Sequence, residues 1–269
     1  MPFADLSAVR LHYQIDGSGP PLVLLAGMLS DGASWTPLLE ALEALAARFT
    51  VIRPDNRTTG RTLPQDAPAG LAEWAGDVVG LLDHLGLPRA HVAGHSLGGA
   101  IALHLTATAP GRVDRLALLA ASPIRLARNE ALFRHLLALR GDGMPPDLWL
   151  RGLFPWLFNP LVYENPAMVD AAVAQSLAYP YTPAPAAMAR QLAALEGVGG
   201  ALALPQTPPP TLAILGGRDL LLPADTARAG LAALSGTRVV EIADAGHSVH
   251  WDAAGAVAAH LVDHFGENA

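Results

Sequence analysis

Three residues of this chain could work together as a nucleophile, a base and an acid: Ser96, His247 and Asp219. Ser96 lies in Gly94-His95-Ser96-Leu97-Gly98, a G-x-S-x-G pattern. An apolar run, Ala90 to Ala93, precedes it, and a helix-compatible stretch, Leu97 to Thr108, follows. Ser96 is therefore expected at the apex of a strand-to-helix turn, the arrangement called a nucleophile elbow. Such a turn strains the backbone and pushes the side chain clear of the sheet, so the flanking positions must be small. The following helix turns its free N–H groups towards the serine, where they favour developing negative charge. The pentapeptide alone is also an ordinary turn sequence. Its chemical meaning comes from the later residues. A neutral hydroxyl is a weak nucleophile and needs a base within hydrogen-bond reach. His247, in Gly246-His247 after the last apolar run, is the expected base. Asp219, closing Gly216-Gly217-Arg218-Asp219, is expected to fix its tautomer and stabilise the imidazolium.

Other residues compete for these roles. The chain has 10 histidines. His95 adjoins the serine, but neighbouring residues on an elbow point apart, so it reads as structural. His247 and His250 with Asp252 suggest a metal site, yet the Gly-preceded histidine at a strand end fits the base better, and no metal is expected. Asp225 falls in the next helical region. Asp244 is too close to His247 in the chain to approach it from the opposite side. The run Leu116 to Ala121 ends in Ser122, not in an acid. An oxyanion hole needs two backbone N–H donors. The expected ones are Leu97, directly after the nucleophile, and Met28, in the loop after the run Leu22 to Ala26. Asp55 and Arg57 read as a structural ion pair or turn.

Composition narrows the remaining classes. The 269 residues are 51% hydrophobic and 15% charged, enough for a large core and too apolar for disorder. All 17 basic residues are arginine, which excludes a Schiff-base lysine. The net charge of −7, with no basic run, argues against a nucleic-acid partner. With no cysteine there is no disulfide, thiolate nucleophile or cysteine metal site. No secretory signal is legible and no apolar run reaches membrane-spanning length, so a cytoplasmic, soluble monomer or homodimer without cofactors is expected.

The elements that must position these residues follow from hydrophobic periodicity. Phe3 to Leu6 reads as a short strand. Val9 to Ile15 alternates as a half-exposed antiparallel edge strand. Leu22 to Ala26, Phe49 to Ile52, Ala90 to Ala93, Leu116 to Ala121, Thr211 to Leu215 and Arg238 to Ile242 read as further strands. Helices are expected from Asp31–Ser34 to about Arg48, and over Leu71–Leu85, Leu97–Thr108, Ala224–Ser235 and Ala253–Phe265. Alternating strands and helices make an α/β fold, a mostly parallel eight-stranded sheet with helices on both faces. The alternation stops at Ile124. Helices over Leu126–Leu139, Asp147–Phe158, Pro166–Ala178 and Pro185–Leu195 mark a helical insertion. The expected division is a core of residues 1–123 and 207–269 with a cap of 124–206. In such a sheet functional groups gather at the carboxyl ends of the strands, where Ser96, Asp219, His247 and Met28 all fall.

These motifs, with the segment Asp55-Asn56-Arg57-Thr58-Thr59-Gly60-Arg61 and the run Gly246-His247-Ser248-Val249-His250-Trp251-Asp252, resemble the α/β-hydrolase superfamily along essentially the whole chain. Trp156-Leu157-Phe158, Ala171-Ala172-Val173 and Arg190-Gln191-Leu192 are similar to the cap of the 3-oxoadipate enol-lactonase and carboxylesterase branch. Ala26-Gly27 stands where many relatives carry His-Gly. Because the donor there is a backbone N–H, the change bears on pocket shape rather than on the hole. The resemblance implies a serine hydrolase cleaving a small, hydrophobic ester or lactone through an acyl-enzyme. C–C bond hydrolysis, thioester cleavage and perhydrolysis on the same triad remain alternatives, as does a ligand sensor that keeps the triad. Trp149, Phe154, Trp156, Phe158 and Tyr163, with Tyr179 and Tyr181, are the candidate pocket lining.

Overall fold

The computed structural model describes residues 2–40, 46–196 and 207–266. Residues 41–45 of the helix expected after Ser34, and 197–206 of the expected insertion, lie outside the described residues. Eight strands form one sheet: β1 (Phe3–Asp5), β2 (Arg10–Asp16), β3 (Pro21–Leu25), β4 (Thr50–Pro54), β5 (Ala90–His95), β6 (Val113–Leu119), β7 (Thr211–Gly216) and β8 (Arg238–Ile242). Their order is β1-β2-β4-β3-β5-β6-β7-β8. β2 runs antiparallel to both β1 and β4, and the remaining pairs are parallel.

The apolar runs form central strands because both of their faces are covered. Val23, Leu25, Val92, Leu118, Ala213 and Leu215 join one core cluster; Leu22, Leu24, Ala93, Leu119, Leu212 and Ile214 join another. This is the period of two that sends successive side chains to opposite faces. The first cluster packs α2 (Leu71–His84), α3 (Leu97–Thr108) and α8 (Ala224–Leu231) against the sheet. The second packs the short α1 (Thr36–Glu40) with α9 (Val249–Asp252) and α10 (Ala254–Gly266) on the other face.

β2 departs from its expected place. It is an inner strand, hydrogen-bonded on both sides, and its His12 is fully buried. The three residues of β1 suffice to cover it and take over the edge. Between β6 and β7 the described residues form α4 (Ala127–Gly141), α5 (Pro146–Leu157), α6 (Pro166–Ala178) and α7 (Pro185–Glu196), with a 3-10 turn over Pro160–Glu164. These helices bury two small clusters of their own, one around Trp149, Leu153 and Met188, the other around Phe154, Val169 and Val173. Among the described residues no helix is long and apolar enough to cross a membrane.

Candidate active site

β5 ends at the elbow. Ser96 has φ +52° and ψ −115°, a conformation L-residues rarely adopt, and its N–H donates to Leu119 O on β6 at 3.0 Å. Backbone contacts enforce the turn. A Cβ on Gly98 would lie 2.0 Å from Leu25 O, and one on Gly94 would lie 2.2 Å from Gly98 O. Glycine is required at both positions because strand β3 and helix α3 pass too close for any side chain.

The ends of β7 and β8 bring the acid and the base to this point. Arg218 N–H donates to Ala245 O and Gly217 N–H to Ile242 O, tying the two strand ends together. The Asp219 carboxylate accepts the Leu221 and Leu222 N–H groups on Oδ1, both at 2.8 Å. Its Oδ2 lies 2.8 Å from His247 Nδ1, and His247 Nε2 lies 2.8 Å from Ser96 Oγ. A carboxylate only accepts, so Nδ1 carries the proton and Nε2 presents a lone pair to the Ser96 O–H. Asp219 and His247 are both buried. The three residues thus form one continuous donor–acceptor chain, able to draw the proton from a nucleophilic serine.

The loop after β3 borders the elbow, since Leu25 pairs with Gly94. Among the described residues neither the Met28 nor the Leu97 N–H donates a hydrogen bond, which leaves both free for an oxyanion. A cavity of about 180 Å³ opens on Ser96, Leu97 and His247. Its walls are largely apolar, with Ile124 and Leu126 from the segment after β6, Phe133 from α4, Leu192 and Leu195 from α7, and Leu221 and Leu222 beside Asp219; Arg125, Asn129 and Glu130 form a polar part of the wall.

The aromatic residues expected in the pocket are elsewhere: none of Trp149, Phe154, Trp156, Phe158, Tyr163, Tyr179 and Tyr181 lines this cavity. Trp149 donates from Nε1 to Leu136 O inside the insertion, and Phe154 stacks edge-on with Phe158. Tyr163 packs beside that pair. The Tyr179 hydroxyl donates to Asp31 Oδ2 at 2.6 Å, and Tyr181 lies under the Arg61 guanidinium at 4.0 Å. The insertion uses most of these side chains for its own packing, and the one aromatic ring its described residues give the cavity wall is Phe133 of α4.

Asp55 and Arg57 do not pair with each other. Asp55 accepts the Gly32 and Arg61 N–H groups and lies 2.8 Å from His12 Nδ1. Arg57 forks onto Asp77 of α2 through Nε and Nη2 at 2.7 and 2.6 Å. Both residues are structural, as expected, but each has a partner of its own. Among the described residues no group of three or more His, Asp or Glu side chains is placed to hold a metal ion. Asp252 Oδ2 instead accepts the Gly246 and Asn159 N–H groups at 2.7 and 3.0 Å, bracing the His247 loop against the end of α5. That role was not legible in the sequence, nor was that of Asn56, whose Nδ2 donates to Ala26 O beside the Met28 loop at 3.1 Å.

Behind the triad, His95 is structural, as read. Its Nε2 lies 2.9 Å from His247 O; a carbonyl only accepts, so the ring donates there and holds the backbone of the base. His250 packs between the rings of His95 and Trp35, with centroids at 4.3 and 4.7 Å. Burial, and then its His247 neighbour, push the His250 imidazole down to about 3. Burial, then His250 and His247, hold His95 well below its ordinary range. Both rings are therefore neutral when folded and take up protons more readily when unfolded. The stability this confers is complete above about pH 6.5 and drains away as the pH falls below it. Each histidine should cost about 1.4 kcal/mol per pH unit there. We expect urea midpoints at pH 7.5 and 5.5 to differ less in His250→Phe than in the native protein. Equal acid sensitivity in the two would contradict this.

Residues 22–260 match the model of the Alpha/beta hydrolase family. The chain belongs to that family. RutD of Azorhizobium caulinodans, a family relative named for carbamate hydrolysis, is 32% identical over 228 residues, 83% of each chain. Among solved structures, the enol-lactonase from Burkholderia xenovorans superposes with a TM-score of 0.83 at 26% identity, covering 99% of this chain and all of that one. A hydrolase from Pseudomonas aeruginosa gives 0.82 at 27% identity, covering 98% of each. The sequence resemblance to the enol-lactonase branch of the α/β-hydrolases thus has its structural counterpart.

Proposed function

We propose that this α/β-hydrolase is a serine hydrolase of small, hydrophobic carboxylic esters or lactones, acting through an acyl-enzyme. The observation that carries this reading is the Asp219–His247–Ser96 chain, with both links at 2.8 Å, opening into a largely apolar cavity of about 180 Å³. Ser96 Oγ attacks the carbonyl carbon while His247 Nε2 takes its proton. The Leu97 and Met28 amides receive the oxyanion. The imidazolium, held by Asp219, returns the proton to the leaving alkoxide. Water then repeats the sequence on the acyl-enzyme and releases the acid. In this reading residues 1–123 and 207–269 form the hydrolase core and 124–206 the cap.

The cavity is smaller than the roughly 300–1,000 Å³ of drug-sized sites, which favours short acyl chains or a small ring. Its lining is mostly apolar but includes Arg125, Asn129 and Glu130, so RutD serves here as support for acyl transfer and not as a guide to substrate.

The test is a p-nitrophenyl ester series from acetate to decanoate, with mass spectrometry of the protein quenched during turnover. Each buried methylene contributes about 0.8 kcal/mol, so kcat/KM should rise roughly fourfold per carbon until the cavity is full, and then fall. The acyl group should appear as added mass on the peptide holding Ser96. No turnover with any ester, or a profile still rising at decanoate, would count against the assignment.

A further inference from the structure

Two tight turns meet beside the elbow, and one side chain of the insertion joins them. In the first, Ser30 N–H donates to Gly27 O at 3.3 Å, with Met28 and Leu29 at the centre. In the second, Thr59 N–H donates to Asn56 O at 2.9 Å, around Arg57 and Thr58. The third residue of each turn has positive φ, +63° at Leu29 and +76° at Thr58. That is the position of a type II turn where glycine is usual. Neither turn has glycine there, so both depend on their surroundings to hold their shape.

Gln191 of α7 supplies that support. It is fully buried. Its Oε1 accepts the Leu29 N–H at 3.0 Å, and its Nε2 donates to Thr58 Oγ1 at 3.2 Å. The orientation of the amide is unambiguous, because a backbone N–H only donates and must face the oxygen. The neighbouring Leu192 and Leu195 of the same helix line the cavity on Ser96. One helix therefore shapes the acyl pocket and also grips the turn that carries the Met28 amide.

We infer that Gln191 is a positioning residue for the oxyanion hole, reaching from the insertion to lock the Met28–Leu29 turn in its strained form. This rests on the ester hydrolase reading above, with Met28 as an oxyanion donor. Gln191 is not among the residues that line the cavity on Ser96, and its hydrogen bonds go to Leu29 and Thr58. Its effect passes through the turn, and so should be felt where negative charge develops and not where substrate first binds.

Gln191→Met keeps the length and removes both hydrogen bonds. Removing an oxyanion donor outright costs about 10²–10³ in kcat, so loosening one should cost about 10- to 100-fold. We expect kcat on p-nitrophenyl butyrate to fall by that factor, with KM moved less than about threefold. Butylboronic acid, which adds to the serine as a tetrahedral anion, should bind more weakly by the same factor as kcat falls. A general loosening of the fold would not make these two quantities track each other. Unchanged kcat in a folded variant, a change confined to KM, or undiminished boronic acid affinity would each overturn the proposal.

If Gln191→Met does not fold, amide exchange in the native protein decides. The Leu29 N–H should be strongly protected, and more so with butylboronic acid bound. Exchange at the rate of an open loop, or protection indifferent to the boronic acid, overturns it. A native protein with no Ser96-dependent turnover removes the hydrolase reading itself, and this inference with it. Native turnover beside an unaffected variant removes the inference alone.

Discussion

Ser96→Ala should hydrolyse p-nitrophenyl butyrate about 10⁴- to 10⁶-fold more slowly than the native protein, with KM little changed. The variant keeps the Cβ and loses only Oγ. What remains is the cavity, the two free amides and His247 with no proton to take. Losses in a relay of this kind are not additive, so a second change at His247 in the Ser96→Ala background should add little. Stability gives an independent reading of the same residue. Holding a non-glycine residue at φ +52° costs on the order of 1–3 kcal/mol, and the tight contacts around Gly94 and Gly98 maintain it. Ser96→Gly relieves that strain, so its urea midpoint should equal or exceed the native one while activity is lost. A Ser96→Ala protein retaining a tenth of native activity would mean that the nucleophile lies elsewhere. A Ser96→Gly protein clearly less stable than native would mean that the elbow is not strained.

The legible part of this site is the part set by backbone and by residue type. Ser96 could be found because only glycines tolerate the contacts on either side of it. Asp219 and His247 could be found because the strands that carry them are continuous apolar runs, and parallel sheets collect polar groups at their carboxyl ends. The illegible part is set by which surfaces meet. Nothing local distinguishes an aromatic that lines a pocket from one that fills a cluster, and Trp149 and Phe154 fill clusters. Leu192 and Leu195 reach the cavity only because α7 returns to the core over Ser96. Partner choice is equally remote. Asp55 lies near His12 and Arg57 binds Asp77, although the two residues are only two apart in the chain. Gln191 lies 162 residues from Leu29, with no spacing to connect them. β2 alternates as an edge strand should, and its pairing with the three residues of β1, Phe3 with His12, Ala4 with Leu11 and Asp5 with Arg10, moves it inward.

Asp219→Asn tests whether the carboxylate acts through the tautomer of His247, and the local hydrogen bonds fix what the variant must do. Oδ1 of residue 219 receives the N–H groups of Leu221 and Leu222. Two donors converge there, so the asparagine must place its carbonyl oxygen at that point and its NH₂ group towards His247. The NH₂ is a donor, and the facing His247 Nδ1 must then give up its proton and accept. The imidazole proton moves to Nε2, where the Ser96 hydroxyl now meets a donor in place of a lone pair. The geometry stays intact while the base is switched off. The expected loss in kcat is about 10⁴-fold, with KM and the urea midpoint close to native. Asp219→Ala should differ in kind. It leaves the Leu221 and Leu222 amides and the Nδ1 proton buried without an acceptor, each at a cost of about 1–3 kcal/mol, so it should lose stability as well as activity. Proton NMR of the His247 ring at neutral pH would locate the proton on Nδ1 in the native protein and on Nε2 in Asp219→Asn. An Asn variant with native kcat, or with the ring proton still on Nδ1, would show that Asp219 does not govern the tautomer and that the imidazole is oriented by something else, with the His95 hydrogen bond to its backbone carbonyl the first contact to examine.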